Sequence, residues 1–310
     1  MKTRASRIAA AFVVIAFGAV AGGAESRIVR DLEYARRGEE ALGLDLYLPE
    51  RGERGSEVSG PAEPAPLIVW VHGGAWRSGS KADVPILPLT NRGFAIASVD
   101  YRLSPVAKFP AQAQDLHAAI RFLRAQAAKH GIDAERLAIA GSSAGGHLAA
   151  LVGVTADVEE LTSQPDGTEK PGAERVGSEV RAIVSFYGAS NLETILAQST
   201  EHGLSVRVPA LKLLLGGLPE NETRLARLAS PVAHVDGGDP PLLWIHGDAD
   251  PQMPYAQAIE MRDACARHDL PVELVAVKGG LHGGEGFYDE AMLKRVAEFL
   301  DGHVNATGQR

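Results

Sequence analysis

The sequence has very little cysteine: Cys265 is the only one in 310 residues. A single cysteine cannot form a disulfide within the chain, so the fold must be stabilised by its hydrophobic core. Cys265 lies in an amphipathic helical pattern, which favours a packed thiol over a reactive one.

The chain also lacks an excess of positive charge, with 31 Lys and Arg against 39 Asp and Glu and a formal net charge of −8. This balance disfavours nucleic acid and anionic membranes as partners. The spacing of the histidines and the cysteine fits no metal site, so neither a metal nor another cofactor is expected. Six histidines are scattered singly and are predicted to be surface or packing residues: His117, His130, His202, His234, His268 and His303.

The N-terminus has the three parts of an export signal. Lys2, Arg4 and Arg7 precede an apolar run over residues 8–20, and small residues fill positions 21–24. An apolar run this short barely spans a bilayer, which disfavours the alternative of a membrane anchor. We therefore predict a signal peptide over 1–24 and a mature domain over 25–310. Such a protein would be exported, periplasmic or secreted, with a net charge of about −11 and no stable membrane association.

The rest of the chain alternates buried strands with helices. Residues 27–36 and 41–48 predict two strands around a turn at Gly38, and a polar loop follows over 51–66. Continuous apolar runs typical of strands covered on both faces lie at 67–71, 94–99, 137–140, 182–186, 242–245 and 272–277. Helical patterns separate them, most clearly over 111–130. The fold class is therefore α/β, with a mainly parallel central sheet flanked by helices. Residues 155–178 form a polar spacer, and 189–238 hold short helical patterns that predict a small lid insertion.

A strand, a tight turn and a helix meet at Gly141-Ser142-Ser143-Ala144-Gly145, which fits the G-x-S-x-G nucleophile elbow. The glycines are needed because side chains at the two ends of so sharp a turn would collide with neighbouring backbone. Ser143 is the predicted nucleophile; centring the motif on Ser142 would require glycines where the chain has alanines. The alternative for the pentapeptide alone is a Gly/Ser-rich turn that caps a helix.

A second motif, His72-Gly73-Gly74-Ala75-Trp76, follows the first buried strand and matches the H-G-G-x pattern of an oxyanion loop. One amide donor is assigned to Gly74 or Ala75. A second is assigned to Ala144 in the elbow, and Gly73 belongs to the same predicted oxyanion and substrate-binding group. His72 is predicted to support the loop structurally rather than to carry protons. Trp76 is predicted to border the substrate pocket, with plain packing as the alternative.

A serine nucleophile needs a histidine base and an acid to orient that base, in the chain order Ser, acid, His. Asp248 and Asp250 follow the strand that ends near residue 245, and His282 follows the next strand. Both segments lie at the carboxyl edge of the predicted sheet, where the elbow also lies. His282 is the predicted base, because His246 precedes the acid. Asp250 is favoured over Asp248, which is placed to form an Asx-type turn.

With these motifs the chain resembles the α/β-hydrolase esterase and lipase family over nearly everything after the signal. The likeness is closest to the branch with H-G-G-x-W at the oxyanion loop, which includes bacterial carboxylesterases, xylan acetyl and feruloyl esterases, and kynurenine formamidase. It extends to residues 100–103, 109–111, 141–146, 246–254 and 280–283. The oxyanion motif departs from a run of three glycines by having Ala75. The resemblance implies an α/β-hydrolase fold with Ser143, Asp250 and His282 as the triad. It also implies that Tyr101 and Arg102 shape the region under the oxyanion loop, although residues 100–103 also fit a purely structural strand end.

These observations predict a carboxylic ester hydrolase that acts through an acyl-enzyme on a small-molecule or carbohydrate ester, such as the acetyl or feruloyl esters of xylan. Two alternatives remain open: an amidase or formamidase with the same triad, and a noncatalytic binding protein of the same fold. An export signal argues against formamidase activity on a cytosolic metabolite. The sequence leaves the oligomeric state and the identity of the ester open.

Overall fold

The computed structural model describes residues 27–49, 63–163, 167–169 and 176–305. The predicted signal peptide and most of the predicted polar loop over 51–66 lie outside these residues. Within them the chain forms one nine-stranded sheet with helices around it. The strands are β1 (Arg27–Arg37), β2 (Glu40–Leu48), β3 (Ala65–Val71), β4 (Ala95–Val99), β5 (Ile132–Ser142), β6 (Gly167–Glu169), β7 (Ala182–Phe186), β8 (Leu242–Gly247) and β9 (Val272–Val277).

The strand order is β6-β1-β2-β4-β3-β5-β7-β8-β9. The six strands from β4 to β9 in this order pair in parallel, whereas β6, β1 and β2 form an antiparallel edge that joins β4. The α/β class and the mainly parallel sheet are therefore confirmed. Because the parallel strands all end at one edge of the sheet, the loops after β3, β5, β8 and β9 meet there.

The described helices lie between the strands and after the last one. They are α1 (Ala111–Ala125), α2 (Ala127–His130), α3 (Ala144–Gly153), α4 (Glu159–Thr162), α5 (Ile195–Gln198), α6 (Glu201–Leu215), α7 (Thr223–Leu228), α8 (Ala256–Arg267) and α9 (Glu290–Val304). The helix predicted over 111–130 is interrupted at Gln126, so it forms α1 and α2. Within the described residues, no helix is both long enough and apolar enough to cross a bilayer.

The core consists of two apolar layers, one on each face of the sheet. In β7 every residue is buried, as the continuous apolar pattern predicts for a central parallel strand. The Cys265 side chain is fully buried in α8, and burial raises the pKa of its thiol to about 11. The thiol is therefore packed and protonated at neutral pH, as expected from the sequence.

The segment 189–238 folds into α5, α6, α7 and a short 3-10 helix at Pro231–Ala233. Helix α6 is longer than its sequence pattern indicates, because it begins eight residues before Pro209 and continues through that proline. Thr200 caps its N-terminus by accepting a hydrogen bond from the Gly203 amide at 3.0 Å. The segment is thus a packed helical insertion between β7 and β8.

Candidate active site

Ser143 lies between the end of β5 and the start of α3. Its backbone has φ 53° and ψ −118°, an uncommon conformation for a residue with a side chain, and its amide donates to the Phe186 carbonyl at 2.8 Å. Strained backbone of this kind persists only where the surrounding structure holds it, and it clusters at functional sites. The turn projects the Ser143 hydroxyl at the carboxyl edge of the sheet, where the side chain is only partly buried.

The glycines of the elbow are explained by how closely backbone segments approach there. A Cβ on Gly141 would lie 2.3 Å from the Gly145 carbonyl oxygen, and one on Gly145 would lie 2.1 Å from that of Val71. Both distances are far below van der Waals contact with backbone that cannot move away. Any side chain at these positions would push α3 away from β5 and β3.

The structure brings Ser143, His282 and Asp250 into one hydrogen-bonded chain. The Ser143 Oγ lies 2.8 Å from His282 Nε2, and His282 Nδ1 lies 2.7 Å from Asp250 Oδ2. A carboxylate only accepts, so Nδ1 carries the proton and Nε2 is left to accept the proton of the serine hydroxyl. This is the geometry that a serine nucleophile, a base and an orienting acid require.

The Asp250 carboxylate has several polar partners besides His282. Its Oδ1 accepts hydrogen bonds from the Gln252 and Met253 amides, each at 2.8 Å, and its Oδ2 lies 3.5 Å from His246 Nε2. Burial would raise the pKa of Asp250, but hydrogen bonds from His246, His282 and the Met253 amide outweigh burial and hold it well below its usual range. The carboxylate is therefore ionised at any physiological pH.

Asp248 and His246, the alternatives considered for acid and base, have other partners. The Asp248 carboxylate is exposed and accepts from the Gly279 amide at 2.6 Å, which ties the loops after β8 and β9 together. His246 is fully buried; its Nδ1 accepts from the Trp244 indole at 3.2 Å and its Nε2 donates to the Met253 carbonyl at 3.0 Å. His282 thus pairs with Asp250 and not with Asp248.

The predicted oxyanion loop follows β3 and lies directly against the nucleophile. A Cβ on Gly73 would lie 3.4 Å from the Ser143 Cβ and 3.1 Å from the Ser142 carbonyl oxygen, so the loop packs against the elbow with little room for a side chain. Gly74 and Ala75 both have positive φ, 108° and 51°. Among the described residues, no protein group accepts a hydrogen bond from the amides of Gly74, Ala75 or Ala144. These amides are thus available for an incoming oxygen.

His72 supports the oxyanion loop from behind. It is 1% exposed, its Nδ1 lies 2.8 Å from the Gly73 carbonyl oxygen, and its ring stacks on Tyr101 at 4.5 Å. The Tyr101 hydroxyl in turn donates to the His72 carbonyl at 3.2 Å. Burial lowers the pKa of His72, so its imidazole is neutral at pH 7. Arg102 forms a bidentate pair with Asp115, two bonds of 2.8 Å, which orders the start of α1 and the loop before it.

The Trp76 side chain lies in the core, not in the wall of an open pocket. It is 0% exposed, and its indole donates to His147 Nδ1 at 3.0 Å. His147 Nε2 then donates to the Ala229 carbonyl at 2.7 Å. This position fits the packing interpretation of Trp76, in which the indole links α3 to the 189–238 insertion. Sequence alone left the pocket and packing interpretations of Trp76 open, because it does not show to which side of the loop an aromatic ring turns.

Sequence reasoning missed Tyr187, which contacts the imidazole of His282. The two rings meet edge to face with centroids 4.8 Å apart, and Tyr187 has φ 41°. Its hydroxyl lies 2.7 Å from that of Tyr288. The position of Tyr187, immediately after the predicted strand 182–186, was the available signal, since residues that follow parallel strands gather at the site edge.

A second serine–histidine pair, Ser178 and His117, lies apart from this site. His117 Nδ1 is 2.9 Å from the Ser178 Oγ, but its Nε2 faces the Thr155 hydroxyl at 3.4 Å and not a carboxylate. Both side chains are almost fully buried, and burial lowers the pKa of His117 to about 3. An enclosed, neutral histidine without an acid partner is a packing residue, as the sequence predicts for His117. Among the described residues, no cluster of three or more His, Cys, Asp or Glu side chains is placed to hold a metal ion.

Comparisons with known proteins agree with this fold. Esterase LipC of Mycobacterium tuberculosis is 32% identical over 230 residues, which cover 72% of this chain and 54% of LipC. The chain spans about half the length of the curated relatives it matches. Among solved structures, a truncated carbohydrate esterase from gut microbiota superposes with a TM-score of 0.78 at 31% identity, covering 91% of this chain and 98% of that one. The propionate-bound esterase Est2 of Thermogutta terrifontis gives a TM-score of 0.65 at 26% identity, with 86% and 93% covered.

The fold and the solved esterase structures that match it define an α/β-hydrolase. Within that class, the chain belongs to the BD-FAE family, whose profile matches residues 44–265.

Proposed function

We propose that this chain hydrolyses carboxylic esters through an acyl-enzyme, with Ser143 as nucleophile, His282 as base and Asp250 as the orienting acid. The observation that carries the proposal is the chain of two short hydrogen bonds, 2.8 Å from the Ser143 Oγ to His282 and 2.7 Å from His282 to Asp250. Short, aligned contacts of this kind activate a hydroxyl that is otherwise a weak nucleophile at neutral pH.

In the first half-reaction the Ser143 Oγ attacks the ester carbonyl carbon while its proton passes to His282 Nε2. The imidazolium that forms is stabilised by the Asp250 carboxylate, which stays ionised. The tetrahedral intermediate then collapses, the bond to the alcohol oxygen breaks, and the alcohol leaves with the proton from His282. Water repeats the sequence on the acyl-enzyme: His282 takes its proton, the carboxylic acid is released, and Ser143 regains its hydrogen.

The negative charge of the tetrahedral intermediate needs donors beside Ser143. We assign them to the amides of Ala144 and of Gly74 or Ala75, which have no protein acceptor among the described residues. The Ala144 amide also lies at the N-terminus of α3, where the helix dipole favours an anion. Each such donor lowers the barrier by about 3 kcal/mol.

For the substrate we propose esters of carbohydrates, including acetylated or feruloylated xylan. One solved relative, 31% identical, is described as a carbohydrate esterase. The Est2 esterase is described with propionate and with butyrate bound, which supports short acyl groups as a second expectation. Kinetics on p-nitrophenyl esters of increasing acyl length, acetylated xylan and methyl ferulate would show whether carbohydrate esters or simple short-chain esters are preferred.

Replacement of Ser143 by Ala tests the chemistry directly. The variant should lose hydrolysis of p-nitrophenyl acetate while retaining its circular dichroism spectrum and melting temperature. Ser142→Ala is the matched control, since it removes the neighbouring hydroxyl of the same motif and should leave turnover largely intact. Turnover retained by Ser143→Ala, or lost only in Ser142→Ala, would refute the assignment of the nucleophile.

Export remains part of the proposal, because a signal peptide over residues 1–24 is supported by the residue pattern alone. The measurement is the N-terminal sequence of the protein recovered from the periplasm or the medium. We expect it to begin at Glu25; an intact Met1 on protein that stays in the cytoplasm would contradict it.

A further inference from the structure

Arg207 is a buried cation that the proposed reaction does not use. It lies in α6 of the 189–238 insertion and is 1% exposed. Its Nη2 donates to the Gln252 carbonyl, while its Nε has no hydrogen-bond partner among the described residues. Burying a guanidinium this completely is costly unless a nearby negative charge compensates for the lost hydration.

The loop whose Gln252 carbonyl accepts the Arg207 hydrogen bond also carries a negative charge, the carboxylate of Asp250. It acts on Arg207 electrostatically, and its side chain is itself 0% exposed, so little water screens the two charges. Burial lowers the pKa of Arg207 to about 10 although Asp250 opposes this shift, and the guanidinium therefore stays charged at neutral pH. Arg207 and Asp250 are two buried, opposite charges on facing elements.

The same face of α6 also contacts the loop that carries Asp250. The Thr200 hydroxyl donates to the Pro251 carbonyl at 2.6 Å. A Cβ on Gly203 would lie 3.2 Å from the Gln252 carbonyl oxygen, so the helix packs closely against the loop at this glycine. Thr200, Gly203 and Arg207 are spaced three and four residues apart, which places them on one side of the helix. Two donors and one close approach thus fix the backbone after Asp250.

We propose that Arg207 is a positioning residue for the triad: from the insertion, it fixes the 250–253 loop and neutralises the charge of Asp250. This rests on the proposed function, in which Asp250 is the orienting acid. In this proposal the 189–238 insertion supports the triad acid through α6, which differs from covering the site as a lid.

The consequence for pH follows from the charges that face the Asp250–His282 pair. His246 from β8 and Arg207 from α6 face Asp250, and Tyr187 from the end of β7 faces His282. Of these, Arg207 is the one with a fixed positive charge. Removing it leaves the Asp250 charge less compensated, which stabilises the imidazolium form of His282. The acid limb of kcat/KM should then move to higher pH.

The test compares Arg207→Met with Arg207→Lys, using p-nitrophenyl acetate between pH 5 and 9 and rates normalised to active sites counted with a fluorophosphonate. We expect Arg207→Met to lower kcat about tenfold with little change in KM, because the acid is less well placed. Its acid limb should shift upward by about half a pH unit. Arg207→Lys keeps the charge and should leave the acid limb in place.

A merely structural Arg207 predicts a lower melting temperature with wild-type kcat and pH profile per active site, and that result would overturn the inference. If Arg207→Met does not fold, Arg207→Gln is measured in its place, since it deletes the charge but keeps a donor for the Gln252 carbonyl. An unshifted acid limb in Arg207→Gln would also overturn it. Failure of the proposed function is a separate outcome: Ser143→Ala would then retain turnover, independently of the results for the Arg207 variants.

Discussion

The Nδ1 atom of His282 lies 2.7 Å from Oδ2 of Asp250, whereas Asp248, two residues earlier, accepts from the Gly279 amide. Asp250→Asn should therefore lower kcat by about 10³–10⁴-fold, because an amide neither fixes the tautomer of His282 nor stabilises its charged form. Asp248→Asn is the matched control and should change kcat less than about threefold while lowering stability slightly. Steady-state kinetics on p-nitrophenyl acetate checks both. A larger loss of kcat in Asp248→Asn than in Asp250→Asn would show that Asp248, not Asp250, is the orienting acid.

Trp76→Phe should lower stability and leave substrate binding intact. The indole donates to His147 Nδ1 inside the core, and phenylalanine leaves that nitrogen without a donor. An unsatisfied buried acceptor costs about 1–3 kcal/mol in the free energy of unfolding. Urea unfolding measures that loss, and KM for p-nitrophenyl acetate should stay within about twofold. A large change in KM at unchanged stability would instead place Trp76 in the substrate pocket.

Gly145→Ala should destabilise the protein by more than about 3 kcal/mol and abolish activity, because its Cβ would lie 2.1 Å from the Val71 carbonyl oxygen. Gly302→Ala is the control, since nothing lies within 4 Å of its added Cβ and the residue is exposed in α9. That change should stabilise the protein by about 0.5–1 kcal/mol through helix propensity. Thermal melting of both variants tests the pair; equal melting temperatures would show that the elbow tolerates a side chain.

Asp239 should make stability depend on pH near neutrality. Burial raises the pKa of its carboxyl to about 7, above the usual 3.8 of an unfolded aspartate. Between these values the native state binds more protons than the unfolded state, so stability falls as pH rises from about 4 to 7. Asp239→Asn should remove this decline and raise stability at pH 8 by about 1 kcal/mol, since the side chain is only partly buried and its charge is screened. Unfolding curves of both proteins at pH 5 and pH 8 check the sign, and a variant that is less stable at pH 8 would contradict it.

Strands covered on both faces could be predicted from the sequence almost to the residue. The run 182–186 matches β7, which is buried throughout, because a continuous apolar run between polar turns allows few other structures. The run 272–277 matches the bounds of β9, but β9 is an edge strand without a fully buried residue, so the prediction that it is covered on both faces is wrong. Strand β5 begins five residues earlier than predicted, since Ile132 pairs with Ala65 ahead of an irregular polar stretch that carries no apolar pattern. The pattern over 189–238 indicated only short helices, whereas α6 has 15 residues, because the contacts of its first half with the 250–253 loop are tertiary and leave no periodic pattern.

The three residues of the candidate triad could be found from the sequence because each follows a strand, and parallel strands bring their ends together. The roles of the residues that support the site could not be found in this way. The burial of the Trp76 ring depends on the packing of α3 against the insertion, and the relation of Arg207 to Asp250 joins positions more than forty residues apart in different elements.

The most direct test of the account is to locate the covalent adduct formed by a fluorophosphonate, which reacts only with an activated serine. The intact protein should gain one adduct, and peptide mass spectrometry should place it on Ser143; Ser143→Ala should gain none, and Asp250→Asn should react much more slowly. An adduct on Ser142, Ser178 or any other residue, or labelling that persists in Ser143→Ala, would contradict the account.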